Sequence, residues 1–240
     1  MNSKIAATYD ALSKQAANDL WSLIGSIKHP LVCLASGDSP SGLYKELVER
    51  TKHEEIDPSD WFFIGLDEWG GMNGSDEGSC RYHLDHQFFG PLEIKKERIC
   101  FFDGKSIDPE AECRRIENFI QQHGGIDVAI LGLGMNGHVG MNEPGTSATL
   151  RSHLAHVDPL TQQVGQKYFS QPVKLSYGLT LGIATLKEAK HIMLIVNGEH
   201  KASIVKKVLE GEISEQIPGS LLRDHPGSTI YLDKAAAQLI

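Results

Sequence analysis

Three short stretches of this chain combine residue types able to do chemistry, and each follows an apolar run of strand character. The first is Ser36-Gly37-Asp38-Ser39-Pro40-Ser41-Gly42, between Leu31–Ala35 and the helical pattern that begins at Leu43. Small hydroxyl residues and glycine at a helix start, with Pro40 in the first turn where its missing N–H costs nothing, offer unpaired donors and the positive end of the helix dipole. That arrangement suits phosphate, although a plain N-cap at Ser39 would produce the same loop. The stretch lacks the Gly-Lys-Ser/Thr ending of a Walker loop, which argues against nucleotide hydrolysis.

The second stretch is Asp67-Glu68-Trp69-Gly70-Gly71, directly after the apolar run Trp61–Leu66. Side chains alternate along a strand, so one acid can face a site while the other pairs elsewhere. A carboxylate at the rim of a closed pocket, its pKa raised by partial burial, is a suitable general base for a carbon-bound proton. A solvated turn at Gly70-Gly71 is the competing reading.

The third runs from Gly132 to Gly145 and crowds Asn136, His138, Asn142 and Glu143 into eight residues. An imidazole with a carboxylate to orient it is the usual acid/base pairing near neutral pH. Gly132, Gly134 and Gly137 also satisfy the GxGxxG spacing of dinucleotide folds, and Asp158 lies at about the right distance onward. That motif has to open a helix, and Gly140, Pro144 and Gly145 leave no room for one before Thr149.

These stretches need elements to hold them. Strand character is expected over 31–35, 61–66, 99–102, 127–132, 173–176, 191–196 and 228–232. Helices are expected over 4–27, 41–51, 79–89, 109–122, 178–187, 199–210 and 218–223. Alternation of this kind implies an α/β fold: a single doubly wound, Rossmann-like domain spanning residues 1–240, with a mainly parallel sheet and helices on both faces. A ligand then lies beyond the carboxyl ends of the strands.

Taken together, Ala35-Ser-Gly-Asp-Ser-Pro, Leu66-Asp-Glu-Trp and Gly132-Leu-Gly-Met-Asn-Gly-His-Val-Gly-Met-Asn-Glu-Pro-Gly resemble the glucosamine-6-phosphate deaminase family. The match continues in order through Gly198-Glu-His-Lys-Ala and Ile217-Pro-Gly-Ser. Trp69, the Leu-Gly-x-Asn-Gly-His pattern and Thr161-Gln-Gln look more like the galactosamine-6-phosphate deaminase/isomerase branch. The resemblance implies that Asp67 moves a proton between C2 and C1, that His138 opens the sugar ring and that Glu143 tunes it. It implies a phosphate loop at Ser36, Gly37 and Ser39, with Lys201 and Lys167 as basic phosphate ligands. Neither a metal nor another cofactor is needed. Two positions depart from the family pattern. Asn136 stands where an Asp is common, leaving Glu143 as the carboxylate behind His138. Asp38 replaces a small residue of the phosphate loop, and its side chain is expected to face away.

Composition narrows the rest. The hydrophobic fraction is 40% and the charged fraction 22%, values of an ordinary globular chain with enough core to fold without metal or disulfide. A net charge of −8 with scattered basic residues gives no nucleic-acid surface. Cys33, Cys80, Cys100 and Cys113 form no CxxC pair and read as reduced thiols. No apolar run is long enough to cross a membrane, and the first residues read as an amphipathic helix rather than a leader. The expectation is therefore a cytoplasmic enzyme whose partner is a phosphorylated amino sugar, acting as a monomer or small homo-oligomer, with hexameric allostery disfavoured. The competing functions are a 6-phosphogluconolactonase-type hydrolase, an NAD-dependent oxidoreductase and a non-catalytic sugar-phosphate sensor.

Overall fold

The computed structural model describes residues 1–240. Its strands are β1 (Asn2–Ala6), β2 (Leu31–Leu34), β3 (Phe62–Gly65), β4 (Asp67–Trp69), β5 (Ile99–Cys100), β6 (Val128–Gly132), β7 (His153–His156), β8 (Tyr177–Thr180), β9 (His191–Val196) and β10 (Ser228–Asp233). Its α-helices are α1 (Tyr9–Ile24), α2 (Asp38–Lys52), α3 (Cys80–Leu84), α4 (Pro109–Gln122), α5 (Pro159–Gly165), α6 (Ile183–Lys187) and α7 (Ala202–Glu210). Short 3-10 turns precede α7 at Glu199–Lys201 and cover Pro218–Leu222.

Seven strands form one sheet in the order β1-β10-β9-β6-β2-β3-β5, with every pair parallel. Parallel strands covered on both faces must be apolar throughout, which is why Leu31–Leu34 is buried at every position and Ile192–Val196 likewise. Alternate residues of the same strands feed two cores. Cys33, Ala129 and Leu131 pack with residues of α4 and α7 on one face, while Val32, Leu34 and Ile130 pack with α1 and α2 on the other. Helices on both faces are what the strand–helix alternation predicted.

The chain runs outward from β2 through β3 to β5, then returns to place β6 on the other side of β2. The order reverses between β2 and β6, so the loops leaving these two strands diverge and open a crevice at their carboxyl ends. A second, antiparallel sheet, β4-β8-β7, stands beside that crevice.

Three expectations fail locally. Residues 4–27 are not one helix: Asn2–Ala6 pair with β10 as the sheet edge, and Thr8 caps α1 by accepting from the Ala11 N–H. Val173–Ser176 is not a strand, because the Gln166 side chain both donates to the Val173 carbonyl and accepts its N–H, replacing a ladder. Residues 178–187 divide: Tyr177–Thr180 is claimed by the edges of β4 and β7, and the helix starts only at Ile183, after Gly182. Leu179, Ile183 and Leu186 have helical spacing, but all three are buried in one core from two different elements. Long-range pairing outweighs local pattern here.

Candidate active site

The loop after β2 leads straight into α2. Gly37 is the N-cap, with φ of 129° that only glycine adopts comfortably, and no side chain caps the helix. The N-cap reading of Ser39 is therefore overturned. Ser39 lies inside the first turn, and its hydroxyl donates to Asn197 Oδ1 at 2.8 Å. The N–H groups of Ser36, Gly37, Asp38 and Ser39 donate to nothing in the chain, so the positive end of α2 presents a cluster of free donors.

A cavity of about 500 Å³ opens above them. It is lined by Ser36, Gly37 and Ser39 of this turn, by Asp67 from β4, by His138 from the loop after β6, and by Lys167 and Lys201. Seven of the nine candidate site residues thus share one space, and the other two, Asn136 and Glu143, stand behind His138 rather than on the wall.

Asp67 and Glu68 do face opposite ways. Glu68 is fully buried, and its carboxylate accepts N–H bonds from Trp69 at 2.8 Å, Cys80 at 2.9 Å and Arg81 at 3.0 Å. It ties β4 to the start of α3. Asp67 is half-buried and looks into the cavity. Burial pushes its carboxyl up to about 6, against the opposing influence of the Cys80 thiol and the His138 ring.

No helix follows β6; residues 133–150 are turns, which removes the dinucleotide reading. Gly134 is placed so that a Cβ would fall 2.2–2.4 Å from the His138 ring, and the ring therefore rests on bare backbone. Asn142 is fully buried and bonds the Val139 and Leu181 carbonyls, so it shapes the loop instead of facing a ligand.

His138 Nδ1 lies 2.7 Å from Asn136 Oδ1, and Asn136 Nδ2 donates to Glu143 Oε2 at 2.8 Å. Since an amide oxygen can only accept, Nδ1 carries the hydrogen and Nε2 is left to exchange a proton. Thr161 Oγ1 is 3.1 Å from the same Nδ1. Burial alone would push Glu143 up, but hydrogen bonding and charge attraction from His138, with help from Asn136 and Thr161, hold it below the ordinary carboxylate value.

The two lysines arrive differently. Lys201 donates to the Leu133 carbonyl at 2.6 Å, and burial, with Lys167 nearby, lowers its ammonium to about 8. Lys167 is held by Asp38 at 2.5 Å. Asp38, expected to face away, is among the residues lining the cavity, and its largely exposed carboxylate is paired with the Lys167 ammonium.

Sequence reasoning passed over Asn197, Thr161 as a partner of His138, and Cys80, His83 and Tyr168 on the wall. They come from four places distant in sequence from the loops they touch, Cys80 and His83 sharing α3, and carry no spacing signal.

Against known proteins, the family described as glucosamine-6-phosphate isomerases/6-phosphogluconolactonase matches residues 3–231. The chain is 37% identical to a glucosamine-6-phosphate deaminase of Bacillus velezensis over 99% of both chains. It is 36% identical to glucosamine-6-phosphate deaminase 1 of Bacillus subtilis, covering 97% of this chain and 96% of that one. Among solved structures it superposes on a monomeric glucosamine-6-phosphate deaminase with a TM-score of 0.96 at 35% identity over the whole of both chains. A 6-phosphogluconolactonase from Trypanosoma brucei shares the fold, with a TM-score of 0.77 at 19% identity over 99% of this chain and 97% of that one.

Proposed function

This chain belongs to the family of glucosamine-6-phosphate isomerases and 6-phosphogluconolactonases, and within it we propose a glucosamine-6-phosphate deaminase, converting the amino-sugar phosphate to fructose 6-phosphate and ammonia. One observation carries the reading: a single cavity is lined by the free N–H groups of the α2 turn, by a base-like Asp67 and by a His138 with its Nε2 unengaged.

In this reading the phosphate rests on Ser36, Gly37 and Ser39, with Lys201 and Lys167 adding charge. Binding energy from this remote group orients the reacting carbons. His138 Nε2 takes the proton of the O1 hydroxyl and returns one to the ring oxygen, opening the ring to the aldehyde. Asn136 and Glu143 hold the tautomer that permits this. Asp67 then removes the C2 proton while O1 gains a proton from solvent, giving an enolamine. Return of the proton from Asp67 to C1 leaves an iminium at C2, which gives a proton back to solvent as the imine. Water adds to that carbon and ammonia departs, leaving the ketone. Every step is a proton transfer, an addition or an elimination.

The lactonase alternative shares the fold, but the relatives with end-to-end similarity above 30% identity carry the deaminase name. Galactosamine 6-phosphate is the second reading for the substrate. It comes from the sequence likeness of Trp69, the Leu-Gly-x-Asn-Gly-His pattern and Thr161-Gln-Gln to that branch, and the named relatives, all glucosamine enzymes, lend it no support. The test offers each amino-sugar phosphate separately and measures ammonia and ketose phosphate. Turnover of glucosamine 6-phosphate with equal yields of both products is expected; 6-phosphogluconolactone hydrolysis with no ammonia from either sugar would overturn the proposal.

We also propose that the chain works as one domain and as a monomer in the cytoplasm. The similar monomeric deaminase and the four unpaired, buried cysteines support this, and no helix is long and apolar enough to cross a membrane.

A further inference from the structure

Asp38 is the one acid in the α2 turn, at a place where an acid works against an incoming phosphate. Its Oδ2 lies 2.5 Å from Lys167 Nζ, and its Oδ1 lies 3.4 Å from the Tyr168 hydroxyl. The pair joins the first residue of α2 to the 3-10 turn that follows α5, across the phosphate end of the cavity. We propose that Asp38 is an internal competitor for the substrate phosphate: it occupies Lys167 in the free enzyme and so sets the affinity of the cradle. The inference rests on the reading of residues 36–39 as the phosphate end.

First, Asp38 stands at the positive end of α2, beside the free N–H groups, where the helix favours any anion. A carboxylate there meets in part the demand that a phosphate would meet in full. Second, only two lysines line the cavity. Lys201 is bonded only to the neutral Leu133 carbonyl and keeps donors to spare, whereas the charge of Lys167 is already paired with Asp38. A phosphate approaching Lys167 therefore meets the Asp38 carboxylate as a rival for the same ammonium. Third, both members of the pair are accessible, with 47% and 69% of their side chains exposed, so the bridge contributes little to folding and breaks readily. What it changes is the cost of bringing a second negative charge to the same spot. That cost falls on ligands in proportion to their charge, which makes Asp38 a residue that weakens phosphate binding and favours product release.

The probe is inorganic phosphate, titrated by calorimetry at low ionic strength and neutral pH and checked as a competitive inhibitor of deamination. Asp38→Asn keeps the shape and loses the charge; Asp38→Ser restores a small hydroxyl residue. Both variants should bind phosphate roughly 3- to 20-fold more tightly and show a KM for the sugar phosphate lower by a similar factor. Asp38→Glu should return the affinity toward that of the parent. The gain from Asp38→Asn should shrink when Lys167 is also changed to Ala, since competition requires the lysine, and shrink in high salt. Equal or weaker phosphate binding in Asp38→Asn, with the parent protein binding phosphate normally, overturns this inference alone. A parent protein that neither binds phosphate nor deaminates the sugar phosphate overturns the cradle reading, and the inference with it.

Discussion

His138 Nδ1 sits 2.7 Å from the amide oxygen of Asn136 and 3.4 Å from Glu143 Oε2, so the imidazole leans on a neutral amide first and on the carboxylate second. Asn136 does not merely stand in for a missing acid. Its oxygen also accepts the His138 backbone N–H at 3.1 Å, and its nitrogen passes the interaction on to Glu143. Charge reaches the ring through a hydrogen-bonded relay whose middle member fixes the tautomer.

Asn136→Ala should therefore lower kcat roughly 10- to 100-fold while leaving KM within about threefold, because the ring loses its orientation and the phosphate contacts survive. Steady-state kinetics on glucosamine 6-phosphate check this; a change confined to KM would assign Asn136 to binding.

Asp67→Asn should reduce kcat by about 10²- to 10⁴-fold, the range for loss of a general base, with phosphate binding retained. Solvent-exchange labelling at C1 of the product should vanish in step. A variant with near-normal turnover would remove Asp67 from the proposed mechanism.

The raised pKa of Asp67, about 6 in place of the ordinary 3.8, makes two pH predictions. The base works ionised, so kcat/KM should fall as pH drops through about 6. Stability moves the opposite way. The folded state holds the Asp67 proton more tightly than the unfolded chain, so stability declines as pH rises from about 4 to about 6 and the full penalty persists above that. Asp67→Asn should consequently gain about 1–2 kcal/mol at pH 7.5 and close to nothing near pH 3. Urea unfolding at both values tests it.

Gly134→Ala would drive a methyl group into the His138 ring, which has only backbone beneath it. The expected outcome is a folded protein destabilised by about 1–3 kcal/mol, with kcat reduced about tenfold or more as the ring is pushed off its Asn136 contact. Chemical denaturation and kinetics on the same sample separate the two effects.

The elements that proved easiest to read were those whose local chemistry and tertiary role agree. Pro109 after the capping Asp108 marks the start of α4, and the apolar run 191–196 is β9, both as the sequence suggests. The strand ends at Leu66-Asp67 and Gly132 likewise announced a site, since buried parallel strands must stop where polar residues begin. Two of the three failures share a cause. β1 and β8 are strands because neighbouring edges needed partners, and nothing within their own sequences requires it.

By itself, the sequence determined the α/β class and the three loops that carry chemistry, with Ser36, Gly37, Ser39, Asp67 and His138 of those loops meeting around one cavity. These follow from local rules: side-chain periodicity, glycine and proline in turns, and polar residues where burial ends; Lys167 and Lys201 came only with the family resemblance. Only the tertiary structure decided that Asp67 faces the cavity while Glu68 grips α3, that Asn136 mediates between His138 and Glu143, and that Asp38 pairs with Lys167. Those relationships join segments from separate elements or turn on side-chain direction within a folded loop. The reason is physical: hydrogen bonds and ion pairs select among orientations that the local sequence leaves nearly equal in energy.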